Sequence, residues 1–292
     1  MEKQKLSYVY ALISIVLWST VATAFKLGLR ELNFIQLLWY SSIVSLIALF
    51  VIIVLQKKLF LLKTLRLKDI AYSAFLGLLN PFGYYMVLLK AYSLLPAQLA
   101  QPLNYTWPIM LVLLSVPLLK QKLPPFSLVA IFISFSGVYF ISSKGNPLNF
   151  TFEEPFGVFL ATFSSIIWAL FWIYNVRDKK DEVIKLFLNF VFGLLYVSIA
   201  LFLFSDFQLP TQNGLYATLY IGLFEMGITF VMWLKAMQLT NSTAKISNLV
   251  FLSPFLALIF IHFILEEKIY WTTFLGIVLI IIGIIIQQIK KK

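Results

Sequence analysis

Long apolar stretches alternate with short polar segments along the whole chain. A membrane-spanning α-helix needs about 20 apolar residues, because its length must match a hydrocarbon core about 30 Å thick. Helices are required there because backbone polar groups in lipid must find partners within their own segment. The pattern predicts an all-α polytopic membrane protein with ten transmembrane helices, at residues 7–27, 35–55, 70–90, 97–119, 126–143, 156–176, 185–204, 214–235, 245–265 and 270–288.

Basic residues are distributed unevenly between the two sides of this predicted arrangement. If the N-terminus lies inside, 18 of the 23 Lys and Arg residues fall on the cytoplasmic side and 5 fall outside. Cytoplasmic loops of membrane proteins carry such an excess of positive charge. The bias favours both termini in the cytoplasm and explains the net charge of +11 without a nucleic-acid partner. We expect a multi-pass protein of the cell inner (plasma) membrane, surrounded by membrane lipid.

Composition narrows the chemistry further. Hydrophobic residues make up 61% of the chain and charged residues 12%, whereas soluble domains carry roughly 25% charged residues. Cysteine is absent and the single histidine is His262, so the sequence offers no disulfide framework, thiolate site or histidine metal cluster. We expect no cofactor and no metal. The loops are too short for a separate soluble domain, so any chemistry must take place inside the helix bundle.

The two halves of the chain carry the same landmarks in the same order. Five helices per half insert the second copy upside down, and inverted repeats are a recurring transporter architecture with its substrate site near the bilayer midplane. We predict one five-helix unit at 1–145 and a second, inverted unit at 146–292. The paired landmarks are Trp18 and Trp168, Gly77 and Gly222, Asn80 and Glu225, Lys90 and Lys235, Pro108 and Pro254, and Gly137 and Gly283.

Glu225 stands in the middle of an apolar run. The other eleven of the 12 acidic residues lie at the termini or between such runs. A charge at the bilayer centre costs about 2.5–3.5 kcal/mol or more, so such residues are rare and mark functional sites. Glu225 is therefore predicted to bind a substrate amino group, to exchange a proton or to pair with Lys245. Its repeat partner Asn80 is expected to act either as a ligand or as an interhelical hydrogen-bond partner.

Polar side chains also follow the fourth and ninth predicted helices. Gln98, Gln101 and Asn104 recur at every third position and share roughly one helical face. They line a polar pathway or form an interhelical hydrogen-bond seam, and the sequence leaves both interpretations open. Lys245 and Asn248 occupy the matching part of the ninth helix. We expect Lys245 to extend toward the headgroups, with recognition of a substrate carboxylate as the alternative.

Several aromatic residues lie deeper in the predicted helices than an interfacial belt would place them. They include Trp18, Tyr84, Tyr85, Tyr105 and Trp168. Aromatic faces in a cavity can hold a planar group or a cation. Packing within the bundle is the simpler role for any one of them.

Three stretches resemble the EamA family of the drug/metabolite transporter superfamily. They are the first helix from Leu17 to Lys26, Lys90-Ala91 with the helix containing Pro108, and the segment from Pro254 through Glu266-Glu267-Lys268 to Gly276 and Gly283. The resemblance covers nearly the whole chain as two EamA units. It implies inverted five-helix repeats, alternating access and transport of small metabolites such as amino acids or cationic solutes. Gln121 stands where the family has Glu, so we interpret Glu267 as a helix-end residue.

These observations predict a secondary active transporter that moves amino-acid-like or cationic metabolites by alternating access, with export as the expected direction. Its partners would be a small-molecule substrate, protons and lipid, and a monomer is compatible with the sequence. The predicted substrate-binding residues are Glu225, Asn80, Tyr84, Gln101, Asn104, Tyr105, Trp168, Trp18, Asn248 and Lys245.

Two other function classes compete with transport as explanations of this sequence. A non-transporting membrane scaffold or a lipid-handling protein would have the same composition. An intramembrane enzyme would need a base, nucleophile or metal cluster, and one carboxylate in a mid-helix position does not provide it. We therefore expect no enzymatic activity and no catalytic residue.

Overall fold

The computed structural model describes residues 2–120, 125–148, 154–240, 246 and 249–289. Within these ranges the chain is helical and contains no strand. The first half contains α1 (Glu2–Glu31), α2 (Phe34–Leu55), α3 (Leu59–Leu62), α4 (Leu67–Gly77), α5 (Tyr84–Leu94), α6 (Ala97–Asn104), α7 (Trp107–Leu119) and α8 (Pro125–Ser142). The second half contains α9 (Pro155–Asn175), α10 (Glu182–Phe204), α11 (Gln212–Tyr220), α12 (Ile228–Leu239), α13 (Ser253–Leu265) and α14 (Trp271–Ile289).

Seven helical segments of the described chain are long and apolar enough to cross a membrane. They are Lys3–Glu31, Phe34–Leu55, Leu67–Leu94, Ala97–Leu119, Pro155–Asn175, Glu182–Phe204 and Gln212–Leu239. Shorter apolar helices cover Val129–Ser142, Val250–Leu265 and Trp271–Ile286. This all-helical architecture is that of a polytopic membrane protein, as the hydrophobic pattern predicted.

Two of the long segments are interrupted in the middle. Leu78–Gly83 forms a π-helical stretch between α4 and α5, and Asn80 inside it has the extended dihedrals φ −148° and ψ 122°. Pro81 has no N–H group and cannot continue the α-helical ladder. A second π-helical stretch, Ile221–Glu225, separates α11 from α12, which begins after Gly227 at φ −117° and ψ −97°. Asn80 and Glu225 therefore both lie at helix breaks. π-helical turns within helices are frequently found at functional sites.

A glycine at each break, Gly77 just before the first and Gly222 inside the second, brings a neighbouring backbone close. A Cβ atom added to Gly77 would lie 2.6 Å from the carbonyl oxygen of Asn189 on α10. One added to Gly222 would lie 2.6 Å from the carbonyl oxygen of Ser41 on α2. Small residues allow this kind of close approach between helices in lipid. The two broken segments are thus packed closely against α10 and α2.

The helices α8 and α14 pack against each other through small residues at two levels. A Cβ atom on Gly137 would lie 2.5 Å from the carbonyl oxygen of Gly276, and one on Gly276 would lie 2.5 Å from that of Gly137. At the other level, a Cβ atom on Gly283 would lie 2.6 Å from the carbonyl oxygen of Ala130. From the first level to the second, the residue number falls from 137 to 130 on α8 and rises from 276 to 283 on α14. The two helices are therefore antiparallel.

The remaining long helices surround the two broken segments. Helix α1 packs against α12 and α13, while α9 packs against α5 and α7, and α2 lies along α10. Helix α5 also contacts α1, α2 and α6. Glu225 and the polar residues of α5 and α6 are consequently enclosed by helices from both halves of the chain.

Candidate functional site

Glu225 is the last residue of the π-helical stretch and is only 8% exposed. The hydroxyl group of Tyr85, itself fully buried, donates a hydrogen bond of 2.9 Å to Glu225 Oε1. No basic side chain of the described residues forms an ion pair with this carboxylate; the ion pairs found there lie between other groups. A buried carboxylate with a single neutral partner is costly. Such a group is suited to receiving a cation or a proton.

A chain of hydrogen bonds connects α5, α6 and α9 next to this carboxylate. The Tyr84 hydroxyl donates to Asn104 Oδ1 at 3.1 Å, and Asn104 Nδ2 donates to Ser164 Oγ at 2.8 Å. The rings of Tyr84 and Tyr85 are in contact, with centroids 4.7 Å apart. Two hydrogen-bond partners therefore fix the orientation of Asn104. Through Tyr84, this chain of hydrogen bonds contacts Tyr85, which binds Glu225.

Four aromatic side chains form a continuous cluster beside these polar groups. The ring centroids of Tyr84 and Trp168 are 4.5 Å apart, and Phe230 lies 5.9 Å from Trp168 and 5.8 Å from Trp18. The two tryptophans, which the predicted repeat pairs with each other, thus flank Phe230 from α1 and α9. We call Trp18, Tyr84, Trp168 and Phe230 the aromatic cluster. It offers π-faces close to a carboxylate, the combination that organic cations prefer.

Asn80 and Gln101, two other predicted residues of the first half, are also buried. Asn80 is 1% exposed, and its Oδ1 atom has no hydrogen-bond partner in the described part of the chain. Buried polar atoms are rarely left unpaired, which makes Asn80 available to a ligand. Gln101 is 5% exposed and lies one turn before Asn104 on α6. Tyr105 directly follows α6, so it lies at the end of the helix that carries Gln101 and Asn104.

Three residues singled out in the sequence lie outside the described residues. They are Gln121, Lys245 and Asn248. The roles given to Lys245 and Asn248, including the pairing of Lys245 with Glu225, therefore stay predictions.

Comparison with known proteins decides the family. The EamA family, described as the EamA-like transporter family, matches the chain twice, at residues 5–143 and 155–287. The chain belongs to this family.

Relatives of the chain are also transporters. An uncharacterized transporter of Clostridium kluyveri is 25% identical over 99% of this chain and 94% of its own length. The uncharacterized transporter YoaV of Bacillus subtilis is 24% identical over 94% of both proteins. The aromatic amino acid exporter YddG of Ancylobacter novellus is 24% identical over 54% of this chain and 55% of its own length. A solved crystal structure shares the fold, with a TM-score of 0.67 and 19% identity over 96% of this chain and 95% of its own.

The hydrogen bonds of Gln98 distinguish between the two interpretations of the polar stripe on α6. Gln98 Nε2 donates to the carbonyl oxygen of Lys268 at 2.7 Å. Its Oε1 accepts from the Tyr270 amide at 3.2 Å and from Thr273 Oγ1 at 3.3 Å. Gln98 therefore belongs to a hydrogen-bond seam with the α13–α14 connection, whereas Asn104 lies within the site.

The sequence did not single out three members of this candidate site as site residues: Tyr85, Ser164 and Phe230. The sequence marks Tyr85 only as a deep aromatic residue, whereas in the structure its hydroxyl binds Glu225. Ser164 anchors Asn104, and Phe230 joins the two tryptophans. Phe230 is one of 29 phenylalanines, so nothing in the sequence singles it out. Tyr85 could have been found from its position beside Tyr84 in a helix paired with that of Glu225.

Proposed function

We propose that the chain is a secondary active transporter of amino-acid-like or cationic metabolites, with Glu225 as the residue that receives the substrate ammonium group. The single observation that carries this proposal is a buried carboxylate at a helix break, bonded to Tyr85 and lacking an ion-pair partner among the described residues. A transported cation would supply the missing positive charge. A proton would neutralise the same carboxylate when the substrate leaves, which gives a route to proton exchange.

The surroundings of Glu225 support a substrate with both an amino group and an apolar part. The aromatic cluster reaches Tyr85, the partner of Glu225, through Tyr84, and the buried amides of Asn80, Gln101 and Asn104 are proposed as the hydrogen-bonding groups. The name of the YddG relative adds support for an aromatic amino acid and for export. In this proposal Lys245 or Asn248 would meet the carboxylate of such a substrate. The proposal includes no catalytic residue and no cofactor.

The proposed mechanism is alternating access between two inverted five-helix units, 1–145 and 146–292, with ten membrane crossings. The family matches one region in each unit. The packing of α8 against α14 also supports this arrangement. A twofold axis in the membrane plane would exchange these two helices. It would carry the contact of Gly137 with Gly276 onto the contact of Gly283 with Ala130, and both contacts are present. The charge bias supports cytoplasmic termini in the plasma membrane, and a monomer contains both units.

The proposed function is tested first by ligand binding and then by flux. Purified protein in detergent is screened by thermal shift against amino acids, amines and nucleosides, because a ligand that binds the folded state raises its unfolding temperature. A stabilising compound is then loaded into proteoliposomes, and its release is followed. We expect hits among aromatic amines or aromatic amino acids. A protein that shows neither binding nor flux would instead support a scaffold or a lipid-handling role.

The hydroxyl of Tyr85 provides a prediction at the same site. Tyr85→Phe removes the one described donor to Glu225 but preserves the ring. A hydrogen bond to a charged group contributes about 1.5–3 kcal/mol, so we expect substrate affinity to fall by about tenfold, which corresponds to about 1.4 kcal/mol. Tyr174→Phe is the matched control, since Tyr174 lies at the end of α9 and its hydroxyl makes no hydrogen bond within the described chain. Equal affinities of the two variants would contradict this role of Tyr85.

A further inference from the structure

A second set of charged contacts lies at one end of the bundle, on the side that the charge count assigns to the outside. Lys26 of α1 reaches the C-terminal end of α5. Its Nζ atom donates to the carbonyl oxygen of Tyr92 at 2.9 Å and to that of Leu95 at 3.0 Å. The last carbonyl groups of a helix carry partial negative charge and favour a cation. Lys26 thus fixes the place where the chain leaves α5.

Glu267 binds the other side of the same connection, at the start of α6. Its Oε1 accepts a hydrogen bond from the Ala97 amide at 2.9 Å and its Oε2 one from the Gln98 amide at 3.2 Å. These are the first amides of α6, which lack partners within the helix and favour a carboxylate. Lys26 and Glu267 carry opposite charges and attract each other across the α5–α6 connection. The two residues come from different halves of the chain, so the contacts tie α1, the α5–α6 connection and the α13–α14 connection together.

Phe25, next to Lys26, separates these contacts from Glu225. It is 2% exposed, and its ring lies edge-on to Tyr92 at 5.2 Å and to Tyr85 at 6.3 Å between centroids. Tyr85 is the hydrogen-bond partner of Glu225. A solute approaching Glu225 from this end would have to displace Phe25. The end of the bundle that carries Lys26 and Glu267 is therefore closed.

We propose that Lys26 and Glu267 form an outer latch, which keeps the outside end of the transport pathway closed and must release before Glu225 becomes accessible from outside. This inference rests on the proposed transport function. Each latch residue binds backbone groups at a helix end with a charged side chain. The contacts can therefore break and reform as the α5–α6 connection moves, without changing the helices themselves.

The latch is tested by accessibility, which requires no substrate. The native chain contains 0 cysteines, so Gln101→Cys, one turn inside the latch, introduces a single thiol. Right-side-out membrane vesicles are treated with a membrane-impermeant maleimide. In the Glu267→Gln background we expect labelling to be faster by about tenfold than in the otherwise native background, equivalent to about 1.4 kcal/mol. Glu266→Gln is the matched control, because Glu266 is exposed and makes no described hydrogen bond to α6.

Substitutions of the second latch residue separate a latch from a general loss of structure. Lys26→Met should accelerate labelling in the same direction, whereas Lys26→Arg, which retains the charge and donors, should stay near the native rate. All variants are checked for a native thermal unfolding transition. Equal rates in every background, including no labelling in any of them, would overturn the latch. A protein with faster labelling after Glu267→Gln but no flux of any compound would retain the latch and lose the proposed function.

Discussion

Replacing Glu225 by Gln is expected to stabilise the protein while it suppresses transport. The amide keeps an oxygen that can accept the hydrogen bond from Tyr85 but removes a charge that the described residues leave unpaired. A charged side chain deep in a membrane costs about 2.5–3.5 kcal/mol or more, so the unfolding temperature should rise. Transport should fall by about a hundredfold, because the loss of a charged partner for an ammonium group costs about 1.5–3 kcal/mol.

Both properties of Glu225→Gln are measured on the same preparation. Thermal unfolding is followed in detergent, and flux of the compound found by the binding screen is followed in proteoliposomes. Glu154→Gln is the matched control, since Glu154 is exposed just before α9, and it should leave both properties unchanged. A variant that is less stable and transports normally would show that Glu225 has a structural role. That result would remove the central observation behind the proposed function.

The long helices could be predicted from the sequence because each follows from a continuous run of apolar residues within its own segment. The prediction of 35–55 agrees with Phe34–Leu55 and that of 70–90 lies within Leu67–Leu94. The breaks inside the helices were harder to predict. Pro81 signals the first break through its missing N–H group, whereas the break at Ile221–Glu225 contains no proline. It depends on tertiary contacts, including the close approach of α2 to Gly222.

The candidate site was only partly predictable for a similar reason. Glu225 stands out because its charge conflicts with its apolar surroundings, and this conflict is visible in the sequence. Its partner Tyr85 comes from α5, 140 positions away in the sequence, and no local pattern records this contact. Gln98 and Asn104 share a helical face, yet Gln98 binds the α13–α14 connection and Asn104 binds Ser164. Their different depths along α6 decide which neighbours they meet.

The contact between α8 and α14 is expected to be the most sensitive packing site of the described bundle. Gly137→Ala places a methyl group where a backbone oxygen of Gly276 lies 2.5 Å away, so the helices must separate. Overpacking of this kind costs about 1–3 kcal/mol, and the unfolding temperature in detergent should fall clearly. Gly214→Ala is the control, because its nearest contact would be 3.3 Å and alanine favours a helix over glycine by about 1 kcal/mol. It should therefore lose less stability than Gly137→Ala.

The reciprocal substitution distinguishes a symmetric contact from two unrelated ones. Gly276→Ala should destabilise about as much as Gly137→Ala, because each methyl group meets the carbonyl oxygen of the other residue at the same distance of 2.5 Å. Once one methyl group has separated the helices, the second costs less, so the double variant should lose less stability than the two single losses added together. Simple additivity, or a large effect of only one substitution, would contradict the shared contact. It would also remove the packing argument for a twofold relation between α8 and α14.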